Sequence, residues 1–557
     1  MYPDYMLALI EKVEATRPAR LELVQKYGKQ VFPAMSAAER EEVLKKFHPD
    51  YKESSRRVIR VGVNKGEKLT TEVADLLESY ARIRPADFDL SQIDYDTDVL
   101  IIGAGSAGLS AAIIAAQEGA KVLLVTKLRL GDSNSMMAQG GIQAATQRDD
   151  SPVIHYLDVL GGGHFDNLPA LAKALVNDGP DAIKWLEELG VMFDKKPDGT
   201  LLCGAGGGMS RNRMHSARDY TGAAICKVLR DEVYNLPNQI KYLEYTAAVE
   251  LVRDEQGDVA GALLYHLETK QYSLVRAKSV IVATGGFGRL HIQGFETTNH
   301  YGATADGIVL AYRVGAKLIY MDSVQYHPTG AVFPEQILGF LCTEKIRSLG
   351  AQPLNVDGEI FVWPLEPRDV ESAAFIRECT ERNKGIKTPS GKLGVWLDSP
   401  LIDLINGPGY TERALPAMVR QYKRFDIDIL KYPMLVYPTL HYQNGGVLIN
   451  EQGATTVAGL YVAGEAAGGI HGRNRLMGNS QLDLIVFGRR AGRAAASRAA
   501  QLKNNRRLSL EHVNQYEAEV AELGIDRRKI APILLPDYIP AHVKARQVTT
   551  QYFGTLF

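Results

Sequence analysis

Cysteine is scarce. The 557 residues hold four thiols, Cys203, Cys226, Cys342 and Cys379, far apart and never as a Cys-x-x-Cys pair. This spacing argues against a structural zinc site, an iron–sulfur cluster or a disulfide framework carried by this chain. An excess of one charge is also lacking: 64 Lys and Arg against 65 Asp and Glu leave a formal net charge of -1. No basic block of the kind that follows a phosphate backbone is present, so no nucleic-acid partner is expected. No apolar run approaches the roughly 18–20 residues that a spanning helix requires. The start, Met1-Tyr2-Pro3-Asp4-Tyr5, has no cationic region leading into an apolar stretch. The expectation is a cytoplasmic protein that meets a membrane only indirectly. Nor does any period of 20 to 50 residues repeat, so the chain is no solenoid.

What is present has the composition of a globular protein, 45% hydrophobic and 23% charged, long enough for two to four domains. Residues 1–95 are charge-rich and read as helical segments. Ser36-Ala37-Ala38-Glu39 is a capping box that opens an amphipathic helix through Val43, Leu44 and Phe47, ended by His48-Pro49-Asp50. A second helix is predicted from about Thr71 to Tyr80. From Thr97 short apolar runs alternate with amphipathic stretches, the mark of a parallel α/β sheet. Strands are predicted at Val99–Ile102, Val122–Thr126, Val280–Ala283 and Leu460–Ala463. Residues 321–435 are richer in Pro, Arg and aromatics and read as an insertion. The tail from 501 is polar and helical, with 532–540 extended.

Asp98-Val-Leu-Ile-Ile-Gly103-Ala-Gly105-Ser106-Ala107-Gly108 joins a buried strand, a glycine turn and a small-residue helix. Gly103 permits the turn, Gly105 lets backbone approach a pyrophosphate, and Gly108 lets the helix pack on the strand. The helix N-terminus offers free N–H groups and a positive dipole end to that pyrophosphate. Where an acid usually holds the ribose, this sequence has Thr126-Lys127. Two later strands, one running into Ala283-Thr284-Gly285 and one into Gly464-Glu465, favour FAD over NAD.

At this point the sequence resembles the flavoprotein subunits of fumarate reductase and succinate dehydrogenase, a family that includes L-aspartate oxidase. Seven motifs occur in the family's order: Ala138-Gln139-Gly140-Gly141, Asp219-Tyr220-Thr221-Gly222, His327-Pro328-Thr329-Gly330, Thr343-Glu344, Pro367-Arg368-Asp369, His441-Tyr442 with Gly445-Gly446, and His471-Gly472-x-Asn474-Arg475. The resemblance covers about residues 96–500. It implies an α/β fold in which a Rossmann-like FAD-binding domain (96–320 and 436–500) is interrupted by an α+β capping domain (321–435). A helical N-terminal extension (1–95) and a short helical C-terminal tail (501–557) complete it.

The resemblance further implies FAD held without a covalent bond, because Asn134 stands where covalent relatives have histidine. It places Ser135, Gln139, Gly140, Gly141, Asp219, Asp306, Ser480, Leu482 and Arg475 beside the cofactor, with the residues of the strand ends named above. It puts His327, Thr343, Glu344, His441 and Arg475 around a substrate's carboxylates and Arg368 over the carbon to be protonated. Arginine suits a carboxylate because it pairs bidentately and stays charged, and an anion nearby would favour protonated imidazoles. An arginine is a weak acid and needs a relay to restore its proton. In the family that relay runs through an Arg-x-Glu-Gly pattern; here Arg347-Ser348-Leu349-Gly350 implies a cut. Gly206 stands where aspartate oxidases have an acid and fumarate reductases an aromatic, which implies a roomier pocket.

Three functions follow. The first interconverts fumarate and succinate, exchanging electrons with an iron–sulfur partner. The second reduces a bulkier enoate or enoyl thioester. The third is a flavin-bearing electron-transfer or scaffold role without substrate chemistry, with residues 1–95 suited to docking a partner. Because Gly206 is no acid, an aspartate substrate would lack its ammonium partner.

Overall fold

The computed structural model describes residues 1–28, 31–503 and 506–535. The four strands read from the sequence lie parallel in one sheet. Tyr95–Ile102 is flanked by Val122–Val125 and by Tyr272–Val282, which also pairs with Leu460–Val462. Ile240–Leu243 extends the parallel side. Two antiparallel strands, Thr246–Asp254 and Val259–His266, attach beside the first half of Tyr272–Val282. Val99, Leu100 and Ile101 are fully shielded, as expected of a parallel strand covered on both faces.

One face is covered by the helices Ser106–Gln117 and Asn479–Gln501, which approach backbone to backbone through glycine. A Cβ on Gly488 would lie 2.5 Å from the Ala107 carbonyl oxygen, and one on Gly492 would lie 2.5 Å from that of Ala111.

A second sheet forms the cap. Its central pair is Val324–Phe333 against Met434–Gln443, with Leu393–Leu397 and Pro353–Leu354 beyond. The strand Met434–Gln443 runs unbroken past position 435, so cap pairing continues to Gln443. The helix Arg368–Cys379 packs on this sheet around Phe375, Trp396 and Tyr422.

The N-terminal segment belongs to the same core. The helix Asp4–Tyr27 buries Met6, Ile10 and Val13, which join Tyr2 in the cap's hydrophobic cluster. Arg17 and Arg20 each pair with Asp398 at 2.8 Å. The expected capping box is formed: Glu39 N–H donates to Ser36 Oγ at 3.3 Å, and Ser36 N–H to Glu39 Oε2 at 2.7 Å. The helix it opens, Ala37–Phe47, lays Val43 and Leu44 on Val370 and Ala373. The apolar face of this helix is thus buried against the cap. The second predicted helix is Thr71–Leu77, three residues short of Tyr80, and two short strands, Arg56–Val58 and Lys68–Thr70, precede it.

The tail forms the helix Glu511–Glu522. Of the stretch expected to be extended, 532–535 is irregular and 536–540 lies outside the described residues. No helix among the described residues is long and apolar enough to cross a membrane.

The glycine contact between the two helices yields a test. Gly488→Val should lower stability by about 1–3 kcal/mol through overpacking, read as a lower urea midpoint at unchanged slope. An unchanged midpoint would show that the helices do not approach this closely.

Candidate active site

The glycine turn has the geometry a pyrophosphate site needs. Gly103 sits at φ +107°, and a Cβ there would meet the Ala283 carbonyl oxygen at 2.3 Å. A Cβ on Gly108 would lie 1.8 Å from the Gly103 carbonyl oxygen, so only glycine lets this helix seat on its strand. Gly105 opens the helix Ser106–Gln117 and faces a cavity.

Most sequence-derived cofactor candidates line that cavity. Gly103, Gly105, Ala107, Thr126 and Lys127 stand at one end; Asn134, Ser135, Ala283, Thr284, Gly285 and Asp306 follow; Glu465, Arg475 and Ser480 complete the wall. Lys127 Nζ is 2.5 Å from Asp306 Oδ2 and 2.8 Å from Thr304 Oγ1. Asn134 Oδ1 accepts the His300 N–H at 2.8 Å, while its amide donates to Asn299 Oδ1 at 2.5 Å. Burial lifts Glu465 to about 7, against the pull of the Gln443 N–H that it accepts at 3.0 Å. Thr284 Oγ1, Gln139 Oε1 and Gln481 Oε1 are buried without a protein partner, and buried polar atoms of this kind call for one. A cavity with a glycine cradle and the unpartnered Thr284 hydroxyl and Gln481 amide oxygen in its wall fits FAD. Asparagine at 134 offers no nucleophilic ring nitrogen to bond it.

Other candidates sit elsewhere. Asp219 is turned away from the cavity: its carboxylate accepts the N–H groups of Ala417 at 3.1 Å and Met418 at 2.9 Å. Those N–H groups open the cap helix Pro416–Lys423, where unpaired donors and the dipole attract an anion. Asp219 thereby ties the main lobe to the cap. Leu482 is fully buried in the core, its apolar side chain packed toward Gly179. Ser106 Oγ meets Cys226 Sγ at 3.1 Å, Gly141 passes the His215 carbonyl, and Gly140 passes Met477.

The candidate catalytic set converges from both lobes. His327 and His441 stand on the paired cap strands with ring centroids 5.0 Å apart. His327 Nδ1 accepts the Thr329 N–H at 3.2 Å, and the Thr329 hydroxyl is itself spent on the Cys342 carbonyl at 2.6 Å. The free Nε2 of His327 is therefore the N–H donor. His441 Nδ1 lies 2.7 Å from Thr298 Oγ1. Burial, aided by the nearby positive Arg368, holds both imidazoles far below their usual range. With no anion beside them the two imidazoles are thus neutral donors.

Arg475 lines the cofactor cavity, its guanidinium 4.5 Å from the Tyr442 ring centre. Burial and the neighbouring Arg368 pull it down to about 9, still charged at neutral pH. Its Nε is buried and unpartnered. Tyr442 in turn donates to Asp483 at 3.0 Å, and His471 Nε2 lies 3.2 Å from the same oxygen.

Arg368 opens its helix with Nε 2.7 Å from Glu344 Oε2 and Nη1 3.0 Å from Gln325 Oε1. Glu344 also accepts the Gly207 N–H at 2.7 Å, and Arg347 Nη2 approaches Glu344 Oε2 at 3.5 Å. Burial alone would raise Glu344; Arg368 and Arg347 outweigh it and hold the carboxyl below its ordinary value. Glu344 thus joins the two arginines, while the cut that Leu349 implied lies on the far side of Arg347. Thr343 is fully buried beside them. The space opened by Gly206 is taken up: a Cβ there would meet the Met209 methyl at 2.2 Å.

Sequence reasoning missed Thr298, Asn299 and Gln325, and also His300, which lines the cavity. Gln325 had a signal, since residues two apart on a strand share a face and His327 was already a candidate. Thr298 and Asn299 carry none, for their loop is brought to the site by bonds to Leu440 and His441, more than 140 positions away in sequence.

Comparison with known proteins agrees with this geometry. The family described as FAD binding domain matches residues 98–481. The CoM/CoB fumarate reductase of Methanothermobacter marburgensis has one component that is 37% identical over 443 residues, 78% of this chain and 78% of that protein. L-aspartate oxidase of Streptomyces coelicolor is 34% identical over 422 residues, covering 73% and 70%. A solved E. coli quinol fumarate reductase FrdA chain aligns with a TM-score of 0.69 at 31% identity, over 78% of this chain and 74% of that one. With a dinucleotide cradle opening toward two arginines and two neutral histidines, the chain belongs to the FAD-binding flavoprotein oxidoreductases of the fumarate reductase and succinate dehydrogenase family.

Proposed function

We propose that this flavoprotein interconverts fumarate and succinate and exchanges electrons with an iron–sulfur protein. One observation carries the reading: Arg475 and His441 line the same cavity as the glycine turn, and the charges of Arg368 and Arg475 reach both imidazoles. That is the donor set a dianion needs beside a flavin.

When bound, FAD supplies the hydride. The chain's residues do the rest. Arg475 pairs with one carboxylate, and neutral His441, His327 and Thr343 donate to the substrate's oxygens. Arg368 holds a proton over the carbon that becomes carbanion-like, and Glu344 keeps that guanidinium charged and aligned. Closure of the cap over these groups excludes water and strengthens each contact. An iron–sulfur partner is the natural electron route because the four cysteines are scattered and the Methanothermobacter relative is itself one component of a larger enzyme. A cytoplasmic location fits the same reading.

A second reading, a bulkier unsaturated acid, draws on one feature. An open cleft of about 960 Å³ lined by Gly140, Met477, Arg347, Leu349 and Ile405, though by none of His327, Arg368, His441 and Arg475, would have to take the longer part of such an acid. A panel of enoates offered to dye-reduced protein decides between the two: preference for fumarate supports the first, preference for a longer acid the second.

Arg475→Ala should cut kcat/KM for fumarate by at least about 100-fold, the order lost when a charged donor to a developing anion is removed. Unchanged turnover in the assembled complex would instead mark the chain as an electron-transfer scaffold. L-aspartate should be oxidised at least about 100-fold more slowly than succinate, on the scale by which a site lacking a polar partner rejects a substrate. Here Glu344 is already engaged by Arg368, Arg347 and the Gly207 N–H. Comparable rates in a dye-coupled assay would refute that assignment.

A further inference from the structure

Resting on that reading, we propose that Glu371 is the terminal acid of the proton relay and takes the place that Leu349 leaves vacant.

The geometry is specific. Glu371 sits one turn after Arg368 on the same helix and is fully buried. Its Oε2 contacts Arg347 Nη1 directly, and Arg347 Nη1 also donates to the Pro364 carbonyl at 2.6 Å. Arg347 Nη2 faces Glu344 Oε2 at 3.5 Å, and Glu344 Oε2 meets Arg368 Nε at 2.7 Å. The order is Glu371, Arg347, Glu344, Arg368. Leu349, two residues beyond Arg347, packs among the apolar side chains of the cap. A carboxyl is therefore present on Arg347, supplied by the next helix.

The two carboxyls are set in opposite states. Glu344 lies between two arginines and is held ionised. Burial drives Glu371 far above the ordinary carboxyl range, with Arg347 opposing and the negative Glu344 and Glu366 adding to the rise. Its Oε1 is buried with no partner. A neutral acid at one end and a proton-requiring carbon at the other give the chain a direction.

Each link passes one proton. Arg368 gives a guanidinium proton to the carbanion-like carbon, forming the C–H bond, and regains one through Glu344. Arg347 returns one to Glu344 and takes one from the Glu371 carboxyl. The sum moves a single proton from Glu371 to product and leaves a Glu371 carboxylate. Electrons are balanced by the hydride already delivered to the neighbouring carbon. The carboxylate is reprotonated through Arg347, which with Pro364 and Leu365 lines the neighbouring cleft that Glu371 itself does not reach.

The test uses the FAD-loaded full chain with dye-linked fumarate reduction. Glu371→Gln keeps the shape and the contact to Arg347 but holds no transferable proton. It should lower kcat at least 10-fold, leave KM within threefold, raise the solvent isotope effect and flatten the alkaline limb of the pH–kcat profile. Leu349→Glu in the Glu371→Gln background should restore part of kcat, and Glu371→Asp should retain more than Gln does. A second readout needs no turnover: difference infrared spectra at neutral pH should contain a protonated carboxyl band that Glu371→Gln removes. A kcat within twofold of wild type with the pH profile intact overturns the proposal, as does absence of that band. Failure of the wild-type protein to reduce fumarate would sink the functional reading instead, and the infrared result would still decide the state of Glu371.

Discussion

Three guanidinium groups, Arg347, Arg368 and Arg475, are packed at the junction of two lobes with almost no contact with water. Like charges so placed repel, and burial penalises each of them. Glu344 is what makes the cluster tenable, because its carboxylate serves Arg368 and Arg347 at once and is anchored by the Gly207 N–H. Removing one partner from a buried ion pair typically costs about 3–5 kcal/mol, so the arrangement is all or nothing. Arg475 has no such carboxylate; the face of Tyr442 and the cofactor cavity are its neighbours. The positive charge left over points where a dianion would lie.

That constraint explains why the site is divided between lobes. The main lobe contributes Arg475 through the segment after His471, and the cap contributes Arg368, His327 and His441. Asp219 and His164 stitch the seam: Asp219 holds the start of a cap helix, and His164 Nε2 lies 2.6 Å from Asp369, the residue next to Arg368. Asp369, held low by the hydrogen bond and charge of His164 against the opposing effect of burial, matches a His164 whose affinity for protons is raised by the same contact. These polar contacts cross the seam beside an apolar one, in which Val324, Tyr326 and Leu440 of the cap strands join the main core.

Much of this was legible in the sequence, and the reasons differ by element. The parallel strands announced themselves as short Val/Ile/Leu runs because both their faces are covered. The glycine turn was readable because no other residue fits beneath the carbonyls of Gly103 and Ala283. The Ser36 capping box needs only four consecutive residues. What failed depended on contacts distant in sequence. Asp219 lies in a motif, but its partner is a helix end almost 200 residues later. Leu349 implied a missing acid beyond Arg347, and the contact that Glu371 makes with Arg347 from a neighbouring helix is invisible to a local pattern. The charge state of His327 and His441 could not be read at all, since it is set by burial and by Arg368 across the fold.

The seating of the first helix in the cap has a consequence for the order of assembly. Tyr2 donates to the Pro433 carbonyl, 431 positions away, and Met6, Ile10 and Val13 complete a cluster with Trp396 and Leu435. On the ribosome the leading residues are therefore synthesised long before their docking surface exists, and such distant pairings are slow to close. The greasy side of this helix stays uncovered until Pro433, 431 positions after Tyr2, has emerged, an interval in which a chaperone has something to hold.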